Sequence, residues 1–216
     1  MIKRRWILVA LLWLALYPAF GAQHDLEPLK KALDRQAKHR SVQVRLRQTK
    51  KLPALKEPVI NTGQLWLIPG KSFRWQIGDP KASTAVYDGT RVYLLDEKKK
   101  TAVDLSPSDR KVKPLLIMLG IGEGASFDSM MEAFNVSGVK NDGTRYVIVL
   151  VPKSSKLKRA INHLTLQVNM KNSFLERIEW SQRDGTHALT EFFTPTVNKP
   201  LPESIFSIKK EDYTWK

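Results

Sequence analysis

The chain has 216 residues, with 36 Lys and Arg against 21 Asp and Glu for a formal net charge of +15, and it has no cysteine. Disulfides and thiolate metal sites are therefore excluded, and stability has to come from packing. So positive a charge invites a nucleic-acid reading, but no interleaved aromatic and basic motif occurs, and an anionic lipid surface or an acidic partner suits the composition better.

Lys3, Arg4 and Arg5 precede an apolar run from Trp6 to Leu16, Pro18 breaks it, and Ala19, Gly21 and Ala22 follow. This is the layout of a secretory signal peptide, and the run is shorter than the roughly 20 residues a helix needs to span a bilayer. Cleavage is expected after Gly21 or Ala22. Residues 23–216 then form one exported domain, whose charge is +12 once Lys3, Arg4 and Arg5 are gone. Export also removes the protein from nucleic acid.

Residues 25–38 read as an amphipathic helix, with Asp25 as N-cap, Pro28 in the first turn and Leu26, Leu29 and Leu33 on one stripe. From Ser41 the period becomes two, so that Val42, Val44 and Leu46 alternate with Gln43, Arg45 and Arg47, and a Pro-containing loop is expected over 51–58. A meander follows, with strands at 59–68, 72–78, 83–88, 91–96 and 100–104, then 144–152, 160–169, 173–181 and 186–193. Asp88-Gly89 fits a two-residue type I′ hairpin turn, and Asp142-Gly143 and Asp184-Gly185 mark two more. Between the two groups of strands, Leu115–Leu119 is apolar all round and is followed by Gly120, Gly122 and Gly124. Ser126 can then cap a second helix, with Phe127, Met130, Met131 and Phe134 at i, i+3, i+4 and i+7. Such a helix pair is placed to plug the mouth of a curved sheet, and the same spacing equally suits an ordinary core helix.

Several strands are apolar on both faces: residues 65–68, 92–95 and 146–151 (YVIVLV). An antiparallel sheet with one wet face alternates instead, so both faces must be covered, and the concave one is filled by side chains or by a greasy ligand. His24, His39, His163 and His187 are scattered without metal-ligand spacing. No nucleophile elbow, HExxH or Walker loop is present. No catalytic group, metal or cofactor is expected.

GQLWLIPGKSFRW (63–75) and AVYDGTRVYLLD (85–96) resemble the signature hairpins of the LolA family of periplasmic outer-membrane lipoprotein carriers. The similarity continues in order through NVSGVKNDGTRYVIVLVPK, LTLQVNM and FLERIEWSQRDGTHALTEF. The resemblance implies a mainly β fold, an incomplete and strongly curved antiparallel barrel with a helical lid, enclosing a hydrophobic cavity. It implies a periplasmic monomer that takes up the acyl chains of a lipoprotein, or another lipid, from an inner-membrane ABC-type releasing complex. The cargo is then surrendered to an outer-membrane acceptor. A lipid-sensing regulatory module on the same scaffold is the alternative. The cavity and lid are expected to draw on Leu46, Leu65, Leu67, Phe73, Trp75, Val92, Leu94, Met118, Met130, Met131 and Phe134. One departure stands out: typical family members carry an arginine before the proline of the first hairpin, where it latches the lid, and here Ile68 precedes Pro69. Arg74 shares its side of the strand with Gln76, so Phe73 and Trp75 are expected to face inward.

Overall fold

A computed structural model describes residues 24–78, 82–109, 112–113, 116, 119, 121 and 126–216. The expected leader, Met118, Leu115 and the glycines at 120, 122 and 124 lie outside these residues. Helix α1 (Glu27–Ala37) is followed by strands β1 (Val42–Lys51), β2 (Val59–Ile68), β3 (Ser72–Ile77), β4 (Ser83–Tyr87), β5 (Val92–Asp96) and β6 (Thr101–Leu105). Then come α2 (Phe127–Ala133), β7 (Phe134–Asn141), β8 (Arg145–Pro152), the short α3 (Ser155–Lys158), β9 (His163–Asn169), β10 (Phe174–Ser181) and β11 (His187–Phe192). The chain ends with β12 (Thr196–Val197), two 3₁₀ turns at Glu203–Phe206 and Lys210–Asp212, and β13 (Thr214–Trp215).

The described strands form one 13-stranded sheet in the order β13-β6-β5-β4-β3-β2-β1-β11-β10-β9-β8-β7, with β12 on β1. Every neighbouring pair is antiparallel except β13 on β6, which makes the sheet mixed. The sheet curves strongly and does not close. Close approach fixes one small residue: a Cβ at Gly63 would lie 2.1 Å from the Gln76 carbonyl oxygen, so only glycine lets β2 and β3 meet there.

Period-two residues split by face as the sequence requires. Val42, Val44 and Leu46, Leu65 and Leu67, Phe73 and Trp75, and Tyr146, Ile148 and Leu150 are all buried in the concave core. Leu29 and Ala32 of α1 pack on it, together with Val112, Leu116, Leu119 and Ile121 from the segment before α2. The Tyr146 hydroxyl donates to the Asp25 carbonyl at 2.6 Å, tying the start of α1 to β8. Burial pushes that phenol up to about 12, with the Asp25 charge adding to the effect.

The outer face explains the second apolar side of 92–95. Val86, Tyr93, Leu95 and Ala102 form a separate buried cluster under Ile208 and Tyr213 of the C-terminal segment. Trp215 meets Tyr93 edge-on, with centroids 5.9 Å apart. The Tyr213 hydroxyl donates to Glu97 at 2.8 Å. Burial and this carboxylate raise Tyr213 to about 12.

Three expectations are corrected. Phe134 is not helical: it caps α2 in extended geometry (φ −129°, ψ 150°) and begins β7, an edge strand absent from the sequence reading. Its spacing mimicked a helical face, while Gly138 and Ser137 concealed the strand, whose pairing with β8 is a tertiary matter. The turns are not two-residue type I′. Tyr87 pairs with Val92, leaving Asp88–Arg91 as the loop, and the Asp88 carboxylate accepts from the Thr90 and Arg91 N–H groups at 2.8 Å each. Gly89 alone of this loop has positive φ, 104°. The identical Asp142-Gly143-Thr144-Arg145 loop does the same, with the Asp142 carboxylate accepting from Thr144 and Arg145. Finally, Lys51, expected to open the Pro-containing loop, is the last residue of β1.

Candidate functional site

The sheet is a trough whose two ends are filled differently. Strand register puts Val42, Leu67, Phe73, Tyr87 and Val92 at one end, and these lie in the same core cluster as Leu116, Leu119 and Ile121. At the other end the same inward rows continue into a cavity of about 950 Å³, at the upper end of the roughly 300–1,000 Å³ usual for small-molecule sites.

Its wall is built strand by strand: Gln48 from β1, Trp75 and Ile77 from β3, Ala85 from β4, Leu94 from β5, Val103 from β6, Ile178 and Trp180 from β10, and Thr190 from β11. Ile161 closes it from the connection into β9. Gln48 and Thr190 satisfy each other, the amide donating to the hydroxyl at 3.2 Å. The rim is basic, with Lys156, Arg159 and the C-terminal Lys216. Lys50 joins them, its ammonium 6.0 Å from the Trp180 ring centroid. Asp96 is the acidic residue of the lining. Backbone N–H groups of Lys99 and Lys98 hydrogen-bond its carboxylate and hold it below the usual range.

Trp75 is the residue with an unmet need. Its indole lines the cavity and packs edge-on against Phe192 (centroids 5.9 Å), yet its Nε1–H is buried with no hydrogen-bond partner among the described residues. Buried indole N–H groups ordinarily find an acceptor.

The sequence-predicted residues divide between cavity wall and packed core. Trp75 and Leu94 line the cavity. Leu46, Leu65, Leu67, Phe73, Val92, Met130 and Phe134 are buried in the core, with Met131 half-buried against it; Met118 lies outside the described residues. The wall residues that the sequence reading passed over, Gln48, Ile77 and Trp180, sit two positions beyond Leu46, Trp75 and Ile178 on the same faces. Extending each alternation by one step is the signal that finds them.

Arg74 faces away from the trough, as expected from its parity. Its guanidinium donates to the Ile205 carbonyl at 3.3 Å and to the Gln76 amide oxygen at 2.8 and 3.1 Å, and burial holds its pKa below the ordinary value. It fastens the C-terminal segment to the outer face rather than latching a lid.

Also on the outer face are two histidine pairs, Ser181 with His163 at 2.8 Å and Glu179 with His187 at 2.8 Å. Among the described residues no carboxylate joins the first pair, so neither makes a relay, and no cluster of three His, Asp or Glu side chains is placed to hold a metal.

This architecture has relatives. The model of the family described as "Outer membrane lipoprotein carrier protein LolA" matches residues 37–209. The chain belongs to the LolA family. Solved structures are similar to this chain at low identity. An uncharacterized conserved protein from Thermus thermophilus is similar at 12% identity, covering 87% of this chain and 99% of that one, with a TM-score of 0.51. A LolA superfamily protein from Nitrosomonas europaea is 11% identical over 83% of this chain and 97% of its own, TM-score 0.42. The Mycobacterium tuberculosis lipoprotein LppX is 15% identical over 82% and 96%, TM-score 0.43. No curated protein matches the sequence.

Proposed function

We propose that this LolA-family chain is a periplasmic carrier: residues 1–22 are a cleaved export leader and residues 23–216 a single carrier domain. The domain takes the acyl chains of a lipoprotein, or of another lipid, into the cavity at the open end of the trough and shuttles them from the inner to the outer membrane. The observation that carries this reading is the cavity itself, walled by Trp75, Ile77, Leu94 and Ile178 and rimmed by Lys156, Arg159 and Lys216. Burying an acyl chain there gains about 0.8 kcal/mol per CH₂, and the free Trp75 N–H offers a donor to an ester carbonyl. Cargo longer than the cavity displaces part of the packed core beside it, which makes Leu46, Leu65, Leu67, Phe73, Val92, Met130, Met131 and Phe134 the second part of the site, with Met118 proposed to join them from the sequence alone. Methionine repacks readily around such a guest. The carrier performs no chemistry. An ABC-type complex at the inner membrane loads it, and an acceptor at the outer membrane empties it.

The test is mass spectrometry of whatever accompanies the protein extracted from the periplasm without detergent. An acylated peptide identifies a lipoprotein carrier, and a free lipid keeps the mechanism with a different cargo. Ala85→Trp, which fills the cavity from β4, is expected to lower uptake of a fluorescent fatty acid at least tenfold. An empty protein that also ignores acyl probes would remove the carrier reading.

A further inference from the structure

The open end of the trough differs from the closed end in what it shows to the outside. Register places the β1–β2 hairpin, the β5–β6 and β10–β11 turns, α3 and the C-terminus together at the open end. The hairpin projects furthest: β3 pairs with Gly63–Ile68 of β2, and Val59–Asn61 run on past that pairing with the loop 52–58 beyond them. A Cβ on Gly185 would touch Pro53 at 3.1 Å, so this loop leans on the β10–β11 turn.

The projecting tip is apolar. Among the described residues, three of the five large hydrophobic side chains that stand exposed are here: Ile60 at 61%, Leu55 at 49% and Val59 at 37%. Around them is a ring of exposed cations from separate loops: Lys56 on the hairpin, Lys98, Lys99 and Lys100 in the β5–β6 turn, and Lys156, Arg159 and Lys216 at the cavity rim. Among the described residues the acids of this end are fewer and mostly engaged. Glu97 accepts from Thr84 and Tyr213 and pairs with Lys100 at 3.5 Å, Asp96 accepts from the backbone of its own turn and lies 4.0 Å from Lys99, and Asp184 accepts from the Thr186 N–H; Glu57 is exposed, and Lys56, Lys98, Lys156, Arg159 and Lys216 outnumber these acids. At the closed end the signs are evenly matched, with Arg91 bound to Asp104 at 2.7 Å and Arg145 in the same loop as Asp142.

We propose that the open end docks on an anionic phospholipid bilayer. Leu55 and Ile60 enter the boundary between headgroups and acyl chains, while the ring of lysines and arginines meets lipid phosphates. Interfacial binding needs this combination of an apolar insertion and cations held within a Debye length of the surface. Cations drawn from four loops share no single groove that would fit an acidic peptide, but they meet a planar anionic surface together. Docking in this way turns the cavity mouth toward the bilayer, so an acyl chain passes between membrane and trough with little exposure to water. The use of docking for cargo transfer rests on the carrier reading; the docking itself does not.

The experiment is flotation with vesicles, using protein expressed with its leader and recovered in the form the host releases. Binding is expected to vesicles of equimolar phosphatidylglycerol and phosphatidylcholine, to weaken as salt rises and to be absent on pure phosphatidylcholine. The double variant Leu55→Asp/Ile60→Asp, and separately Lys98→Glu/Lys99→Glu, are expected to lower the partition coefficient at least tenfold with uptake of a fluorescent fatty acid unchanged. Phe193→Asp replaces an equally exposed apolar residue at the far end of β11 and is expected to leave flotation unchanged. All these sites are exposed, and circular dichroism verifies that each variant is folded. Equal binding to neutral vesicles, no binding at all, or an equal loss in Phe193→Asp would each overturn the docking face. A protein that floats as described but takes up no fatty acid would sink the carrier reading and leave the docking face standing.

Discussion

Trp75 offers a sharp test of how the trough is filled, because two opposed effects meet in one side chain. Trp75→Phe shortens a cavity-lining aromatic, and the roughly 150–250 Å² spanned by buried aromatic side chains puts the area lost at about 50 Å². At about 25 cal/mol/Å² that costs about 1 kcal/mol. The same change removes a buried N–H that has no partner among the described residues, and relief of such a group is worth about 1–3 kcal/mol. The edge-on contact with Phe192 survives in a phenyl ring. The sum is a stability change between zero and about 2 kcal/mol in favour of the variant. Phe73, two residues earlier on the same face, is fully buried at the helix-filled end and touches Tyr87; Phe73→Ala is expected to cost about 3–5 kcal/mol. Trp75→Ala is expected to cost less than Phe73→Ala, although it deletes the larger side chain, because one side of Trp75 already borders open volume. Urea unfolding followed by circular dichroism measures all three, compared through midpoints at constant m. A loss above about 2 kcal/mol in Trp75→Phe would mean that the N–H is satisfied, and a Trp75→Ala penalty exceeding that of Phe73→Ala would mean that this end is packed rather than hollow.

Two glycines separate close approach from mere sequence. Gly63→Ala drives a methyl into the Gln76 carbonyl and is expected to destabilise the protein by at least about 2 kcal/mol, whereas Gly138→Ala on β7 has nothing within 4 Å of its Cβ and stays within about 0.5 kcal/mol by the same urea assay. The DGTR loops give a pH dependence. Hydrogen bonds from the Thr144 hydroxyl, then from the Arg145 and Thr144 N–H groups, lower Asp142 from 3.8 to about 2. Because the folded value is depressed, the stabilisation it gives is fully present above about pH 4 and is lost as pH falls through about 2. Asp142→Asn is expected to flatten the fall of the urea midpoint in that window; an unchanged slope would remove this carboxylate from the acid response.

How far the sequence reading reached is clearest in particular elements. β2 has the bounds that the alternation and flanking Pro residues mark, 59–68, and the inward turn of Phe73 and Trp75 follows from parity once Arg74 is set beside Gln76. β7 escaped because its strand character comes from pairing with β8 rather than from its own composition. The DG turns were located correctly and built differently, since an aspartate that caps the two following N–H groups competes with the type I′ geometry.

The sequence by itself determined the local alternation that sorts each strand into two faces, the demand that both faces of 92–95 and 146–151 be covered, and the order of segments that marks the family. These are short-range properties, written in neighbouring residues. The tertiary structure decided what covers each face. The C-terminal segment, more than a hundred residues from β5 in sequence, buries Tyr93 and Leu95, and α1 with Leu116, Leu119 and Ile121 fills one end of the trough and leaves the other hollow. Inward residues of identical character thus became core at Phe73 and cavity wall at Ile77. Nothing local distinguishes them, because the difference lies in which distant element packs against them.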